Sequence, residues 1–329
     1  MKKEEFLRVF QESVQPKHEK EISRTKKAIN SEMNVYIKTA ILSVFAWFCL
    51  TITIGTWAYV VIPFAIYFIY LLFFKLAEHQ SKKAGISMKE TLSSSNRVKE
   101  GFYKDCLSYF GPSLQYSAEN SLSEADFKKY GIIQKEYMDK FKSSDQIEGE
   151  IQGRHYRSNQ LDIRYEYTDA EGETQQEIVF KGFMVETPIS IDSSFTLTSY
   201  QGRTNYAVPK PSIFQPKSSG LSPLSFSHYQ FDSLFTSATN NPILAQSFLD
   251  PAQLDALVEK IKQELPHAHF AISKGTFILM IPHKSAFDLY GSKHIDGEVV
   301  WNELSKLYQY ASFIEHLELD ERASEVSAR

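Results

Sequence analysis

Between Lys38 and Lys75 the chain carries thirty-six consecutive uncharged residues, Thr39 through Phe74, while elsewhere its apolar positions fall into short periodic runs. As helix, the uncharged run would reach roughly 54 Å, against about 30 Å for a bilayer hydrocarbon core. Two compact spans use that length better than one. Gly55, Thr56, Trp57 and Tyr59, followed by Pro63, break the run in its middle. Proline lacks an N–H and is best tolerated in a helix's first turn. The pattern therefore predicts helices over about 37–54 and 60–76, joined as a transmembrane hairpin. Trp57 and Tyr59 would sit at the far membrane interface, with Lys38 and Lys75 at the near one.

The flanks orient that hairpin. Residues 1–38 hold nine Lys/Arg against six acids, and residues 75–104 hold seven against three. Basic flanks resist translocation, so both termini are expected in the cytoplasm, with two spans in the inner (plasma) membrane. A single tilted span that exports the C-terminal region is the alternative. The apolar run begins too late and is too long for a cleavable signal peptide.

Outside the run, residues 1–36 read as an amphipathic arm. Phe6, Leu7, Val9, Phe10 and Val14 line one side, Pro16 interrupts, and Ile22, Ile29, Met33 and Tyr36 follow at helical spacing. Residues 77–110 read as a juxtamembrane linker with a helix from Arg97 to Tyr109. A mixed body follows over 111–319. It opens with a short helix at Glu124–Tyr130, capped by Ser123 and stopped by Gly131. Strand begins at Ile147–Tyr156. A hairpin then pairs Leu161–Tyr167 with Glu177–Val185 around the turn Asp169-Ala170-Glu171-Gly172.

Phe195–Ser199 reads as a further strand. Residues 201–225, with Pro209, Pro211, Pro216 and Pro223, form a Pro/Ser-rich excursion. Asp250 and Pro251 open a helix carrying Leu254, Leu257, Val258, Ile261 and Leu265. Phe270–Ser273 and Thr276–Ile281 make a second hairpin, and Val299–Leu317 a last helix. Residues 320–329 are a charged tail. The predicted fold class is α+β: the two-helix transmembrane hairpin, then a mixed cytosolic domain of antiparallel hairpins and packed helices.

Charge sharpens this picture. Residues 105–329 hold 20 Lys/Arg and 31 Asp/Glu, a net of −11. Such a body argues against nucleic acid as a partner, which needs a basic face. The basic residues cluster beside the apolar run, where the bilayer's anionic headgroups would be their partner. Cys49 and Cys106 are the only cysteines, too few for a disulfide framework and consistent with a reducing compartment.

Candidate chemistry is sparse. No phosphate-cradling glycine loop, zincin helix or nucleophile elbow occurs. His267 and His269 stand two apart in an expected strand, which would point both imidazoles to one face. With His283 or Asp288 they could begin a zinc site, but the ordinary reading is a solvent-facing pair, and no cofactor is expected. Glu148/Glu150 and Asp169/Glu171 could serve as acid and base, or hold a cation. No nucleophile accompanies either pair, and the structural reading is preferred. Tyr103, Tyr109, Phe110, Tyr116, Phe127, Tyr130, Tyr137 and Phe141 crowd one region, as a core or as a protein-binding surface.

Several segments carry a resemblance. They are Phe127-Lys128-Lys129-Tyr130-Gly131-Ile132, Asp145-Gln146-Ile147-Glu148-Gly149-Glu150-Ile151 and Val179-Phe180-Lys181-Gly182-Phe183. With Phe235, Leu249, Pro251 and Leu254 in the stretch Phe231–Leu257, the order of elements resembles a bacterial membrane family, domain of unknown function 3137. The excursion at 201–225 departs from that family's pattern. The resemblance implies no active-site residues, since the family has no established activity. It implies a LemA-type membrane coiled-coil protein as partner.

The function expected from all this is a non-enzymatic protein-interaction or scaffolding module on the cytosolic face of the membrane, possible also as a homo-oligomer. A membrane-proximal hydrolase or metal-dependent enzyme is the rival. A transporter or channel subunit is a further alternative, weakened by the lack of ionisable residues within the spans.

Overall fold

The computed structural model describes residues 2–27, 38, 41, 88–133, 137–169, 171–201, 220–265, 267–282 and 296–317. The chain divides into two compact units. One comprises Met1–Arg8, Tyr103–Asp288 and Asp296–Arg329, the other Val9–Phe102 and Leu289–Ile295.

At the N-terminus α1 (Lys3–Val9) passes through a π turn (Phe10–Val14) into α2, residues 15–27. Pro16 does not end the helix, contrary to the sequence reading. The widened turn, in which the Gln15 N–H reaches back to the Phe10 carbonyl, sets the proline at its exit, where the ring and the missing N–H are accommodated. Phe10, Val14 and Ile22 are buried, and Phe102 meets both Phe10 and His18 edge-on. In the other unit, Phe6 of α1 packs on Tyr109, Phe110 and Trp301. Helix α3 (Met88–Leu107) begins well inside the stretch read as linker.

The larger unit is organised by one nine-stranded antiparallel sheet. In chain order its elements are β1 (Gln115–Ser117), α4 (Glu124–Tyr130), β2 (Lys140–Ile151), β3 (Arg154–Thr168), β4 (Thr174–Pro188) and β5 (Thr196–Gln201). Then come β6 (Ser222–Leu224), α5 (Tyr229–Leu234), β7 (Phe235–Thr239), α6 (Pro242–Phe248), α7 (Pro251–Glu264), β8 (His269–Ser273), β9 (Thr276–Pro282) and α8 (Gly297–His316). Across the sheet the strands run β1-β2-β3-β4-β9-β8-β5-β7-β6. Each hairpin is local, but β4 meets β9, and β5 inserts between β8 and β7.

Both faces of the sheet centre are covered. On the first, Leu161, Ile163, Phe180, Met184, Ile278 and Met280 form a core with Leu122, Phe127, Ile132, Ile133 and Met138. On the second, Tyr156 of β3 donates to the Ala311 carbonyl (3.1 Å) and to Glu315 (2.7 Å), which lays α8 across that face. Phe231 of α5 stacks on Phe235 there and meets Phe270. Fully burying one such ring is worth about 2–3 kcal/mol. Two bulges tune the outer strands. One follows Ser144, where buried Asp145 takes positive φ and accepts from the Tyr116 hydroxyl. The other, opposite Ile163, turns both Val179 and Phe180 into the core.

This architecture corrects the expected fold class. The body is built on one large antiparallel sheet with helices, and no helix among the described residues is long and apolar enough to cross a membrane, so no transmembrane hairpin is shown. The long described helices alternate charge with apolar residues: α8 carries Glu298, Glu303, Lys306 and Glu315 along its length. The two spans, the inner-membrane location and the cytoplasmic termini inferred from them are corrected with it. Of the residues assigned to the spans and their interfaces, Lys38 and Ile41 are described, both helical and exposed; Trp57, Tyr59 and Lys75 lie outside the described residues. So does most of the Pro/Ser-rich excursion, of which 222–224 forms β6, and all of the 320–329 tail.

Candidate functional site

A bonded polar group forms on the first face where α4 meets the sheet. Ser123 caps α4 by accepting from the Asp126 N–H, and Gly131 closes it in the left-handed region at φ 66°. That leaves Tyr130 over β4, where its hydroxyl donates to Glu186 Oε2 at 2.8 Å. Glu186 is 4% exposed, and Arg157, its register partner on β3, donates to the same carboxylate. Burial first, then Glu186, pushes the Tyr130 phenol up. Burial works against the Arg157 charge, but Glu186 outweighs it and raises the guanidinium's pKa. A carboxylate accepting from two guanidinium nitrogens and a phenol is engaged as a structural anchor.

Along the same row, Glu148 of β2 stands opposite Arg157 and pairs with His155 at 3.2 Å. Glu148 and Glu150 share a strand face, as their spacing predicts. Asp169 is a turn residue: it accepts from the Glu171 and Glu173 N–H groups and from Gln175. The Gln175 bond, then these backbone bonds, hold its carboxyl below the usual range.

The two histidines do not share a strand face. His267 lies in the turn before β8 at φ 71°, where its N–H donates to Gln201 Oε1 at 2.6 Å. His269 opens β8, is 3% exposed and accepts the Gln201 N–H at Nδ1 (3.2 Å). Burial, then the neighbouring His267, pushes the His269 imidazole down to about 4. The expected solvent-facing pair is corrected: His267 lies in a turn ahead of the strand, and pairing of β8 with β9 draws His269 inward. His283 and Asp288 lie outside the described residues. Among the described residues, no group of three or more His, Cys, Asp or Glu side chains is placed to hold a metal ion.

A second set of side chains gathers on the outer ribbon of β2, β3 and β4. On the first face Tyr137 meets Tyr165 edge-on at 5.1 Å, and Tyr165 stacks on Tyr167 at 6.0 Å. Tyr137 and Tyr165 rest on the core, while Tyr167 is 42% exposed. This ladder runs from the core out to solvent. On the opposite face Lys140, Lys142, Asp162, Arg164, Lys181 and exposed Ile178 lie side by side through the register Lys140↔Arg164, Lys142↔Asp162, Asp162↔Lys181 and Arg164↔Ile178. Arg164 forks onto Asp162 at 2.8 and 2.9 Å, Lys181 approaches it at 4.0 Å, and Lys140 pairs with Glu166 at 2.6 Å. The Arg164 hydrogen bond, against partial burial, keeps the Asp162 carboxyl below its ordinary value.

Sequence reasoning misses this basic face. Lys181 is absorbed into an apolar strand end, and the alternation Asp162-Ile163-Arg164-Tyr165-Glu166-Tyr167 signals a strand through its apolar half alone. Of the aromatic crowd, Tyr103, Tyr116 and Phe127 are buried, and Tyr130, Tyr137 and Phe141 pack partly buried against the core.

No protein-family model matches the chain, and no curated protein matches it. Among solved structures it is similar to the crystal structure of the mycobacterial trehalose monomycolate transport factor A, TtfA, at 8% identity and a TM-score of 0.35, over 66% of this chain and 95% of that one.

Proposed function

We propose that the chain is a non-enzymatic protein-binding module that meets its partner through the outer ribbon of β2, β3 and β4. The observation that supports this reading is the tyrosine ladder. Tyr137 and Tyr165 are fixed by the core beneath them, and Tyr167 is presented to solvent beyond them. Rigid aromatic rings bring large contact area at small entropic cost, and Tyr and Arg are enriched at the energetic centres of interfaces. The polar groups that first attract a catalytic reading are engaged otherwise: Glu186 anchors α4, and His269 ties β8 to Gln201. A LemA-type coiled-coil protein, implied by the resemblance to domain of unknown function 3137, is the first partner to test.

The test is site-directed photo-crosslinking in the cells that make the protein. A photoreactive aromatic amino acid at Tyr167 is expected to capture one recurrent protein that the same group at exposed Glu259 of α7 does not. Identical background from both positions would overturn the reading.

A further inference from the structure

We propose that the basic face of the outer ribbon docks an acidic, extended segment of the partner protein. This rests on the reading of the chain as a protein-binding module and names the chemistry that the partner brings. Four cations, Lys140, Lys142, Arg164 and Lys181, share that face with two carboxylates, Asp162 and Glu166. The local balance is positive within a body whose net charge is −11. A positive patch on an acidic body attracts an anion locally and repels it elsewhere, which favours one docking site over diffuse binding.

The internal pairing leaves cationic capacity over. Asp162 is forked by Arg164, and Glu166 is shared by Lys140 and Gln176. Lys142 is exposed, and Lys181 stands 4.0 Å from Asp162. Neighbouring strands lie about 4.8 Å apart and alternate residues on one strand about 7 Å apart. Lys140 and Lys142, about 7 Å apart along β2, therefore match alternate carboxylates of a chain extended beside that strand, while Lys181, in register with Asp162 and about 10 Å across the ribbon from Lys142, adds to the positive field.

The edge of the sheet favours the same occupant. β1 pairs only with Gln146–Glu148 of β2. From Lys140 to Ser144, β2 has β3 on one side and, among the described residues, no strand on the other. An open strand edge carries unpaired backbone groups and accepts a further strand, with side-chain pockets and charges setting its register. Ile178, 39% exposed beside Arg164, adds an apolar contact. Nucleic acid fits less well. Its charges follow one another every ~1.7 Å along a duplex and need a continuous basic track, whereas here Asp162 and Glu166 interrupt the cations.

The experiment measures fluorescence anisotropy of the full chain with three labelled probes: a short peptide alternating glutamate and threonine, the same peptide with lysine for glutamate, and a single-stranded RNA of equal length. The glutamate peptide is expected to bind, the lysine peptide not. Raising the salt concentration should weaken the complex. Lys142→Gln with Lys181→Gln should weaken it about fivefold, and Lys142→Arg with Lys181→Arg should retain it. Unchanged affinity in the glutamine variant, no binding of the glutamate peptide, or tighter binding of the RNA would each overturn the proposal. Crosslinking from Tyr167 reads the other face of the ribbon. A recurrent partner there without peptide binding removes the acidic docking and leaves the protein-binding reading standing; failure of both removes the two together.

Discussion

Arg157 of β3 and Glu186 of β4 stand in direct register, and the guanidinium grips Glu186 Oε1 through both Nε and Nη2 while Tyr130 holds Oε2. Removing one member of a buried pair leaves the other charge without compensation. Because the Arg157 side chain is 36% exposed, water offsets part of that loss. Arg157→Ala is expected to cost about 2 kcal/mol and Tyr130→Phe about 1–2 kcal/mol. Replacing both ions with apolar residues, Arg157→Met with Glu186→Leu, should cost less than Arg157→Ala alone. Urea unfolding curves decide the matter. An Arg157→Ala midpoint no different from that of Lys129→Ala, an exposed control, would show the pair to be inert.

His269 makes stability depend on pH. In the unfolded chain the imidazole takes a proton near 6.5, whereas in the fold it does so only near 4. Between these values the unfolded state binds more protons, so stability is complete above about pH 6.5 and declines as the pH falls toward 4. The loss is on the order of 3 kcal/mol at its full extent. Unfolding free energies of the wild type and of His269→Gln, measured across this interval, should differ in slope. Parallel slopes would exclude His269 as the source.

Gly149 sits where the segment leading into β1 crosses β2. A Cβ there would lie 2.5 Å from the Ser113 carbonyl oxygen and 2.9 Å from Leu114 Cα, at φ 152°. Both obstacles are backbone, and the crossing is further tied by Ser113 Oγ to the Glu150 carbonyl at 3.0 Å. Gly149→Ala is therefore expected to destabilise by about 2–3 kcal/mol and to loosen β1. Gly153→Ala, at φ 84° in open space, should cost only about 1–2 kcal/mol. Thermal melts compare the two, with hydrogen exchange at Tyr116 reporting on β1. Equal losses would show that left-handed conformation, rather than close approach, governs both sites.

Elements with local signals are legible in the chain itself. Asp250 followed by Pro251 announces α7, and the helix starts there with a capping box completed by Gln253. Ser123 and Gly131 bracket α4, and the Asp169–Gly172 turn joins the two strands of the β3–β4 hairpin. The turn at Gln152-Gly153, with φ 55° and 84°, falls inside the stretch Ile147–Tyr156 read as strand, because a single glycine between Ile151 and Tyr156 does not by itself mark a reversal. Helix α6 escapes sequence reasoning because its seven residues, Pro242–Phe248, are too few to show a period. The basic face escapes for a different reason. Lys142, Asp162 and Lys181 are far apart in sequence and become neighbours only through the pairing of β2 with β3 and β3 with β4.

Caps, turns and apolar spacing, written in contiguous residues, determined most hairpins and helices of the body and the acidic balance of its surface, because each rests on backbone preferences or charges that neighbours in sequence settle among themselves. Tertiary structure alone decided that β4 pairs with β9, that β5 lies between β8 and β7, that His269 turns inward, and that four cations meet on one side of the outer ribbon. Those outcomes depend on contacts between distant segments, whose free energy is set by register and burial once the sheet has closed, and no stretch of sequence contains both partners.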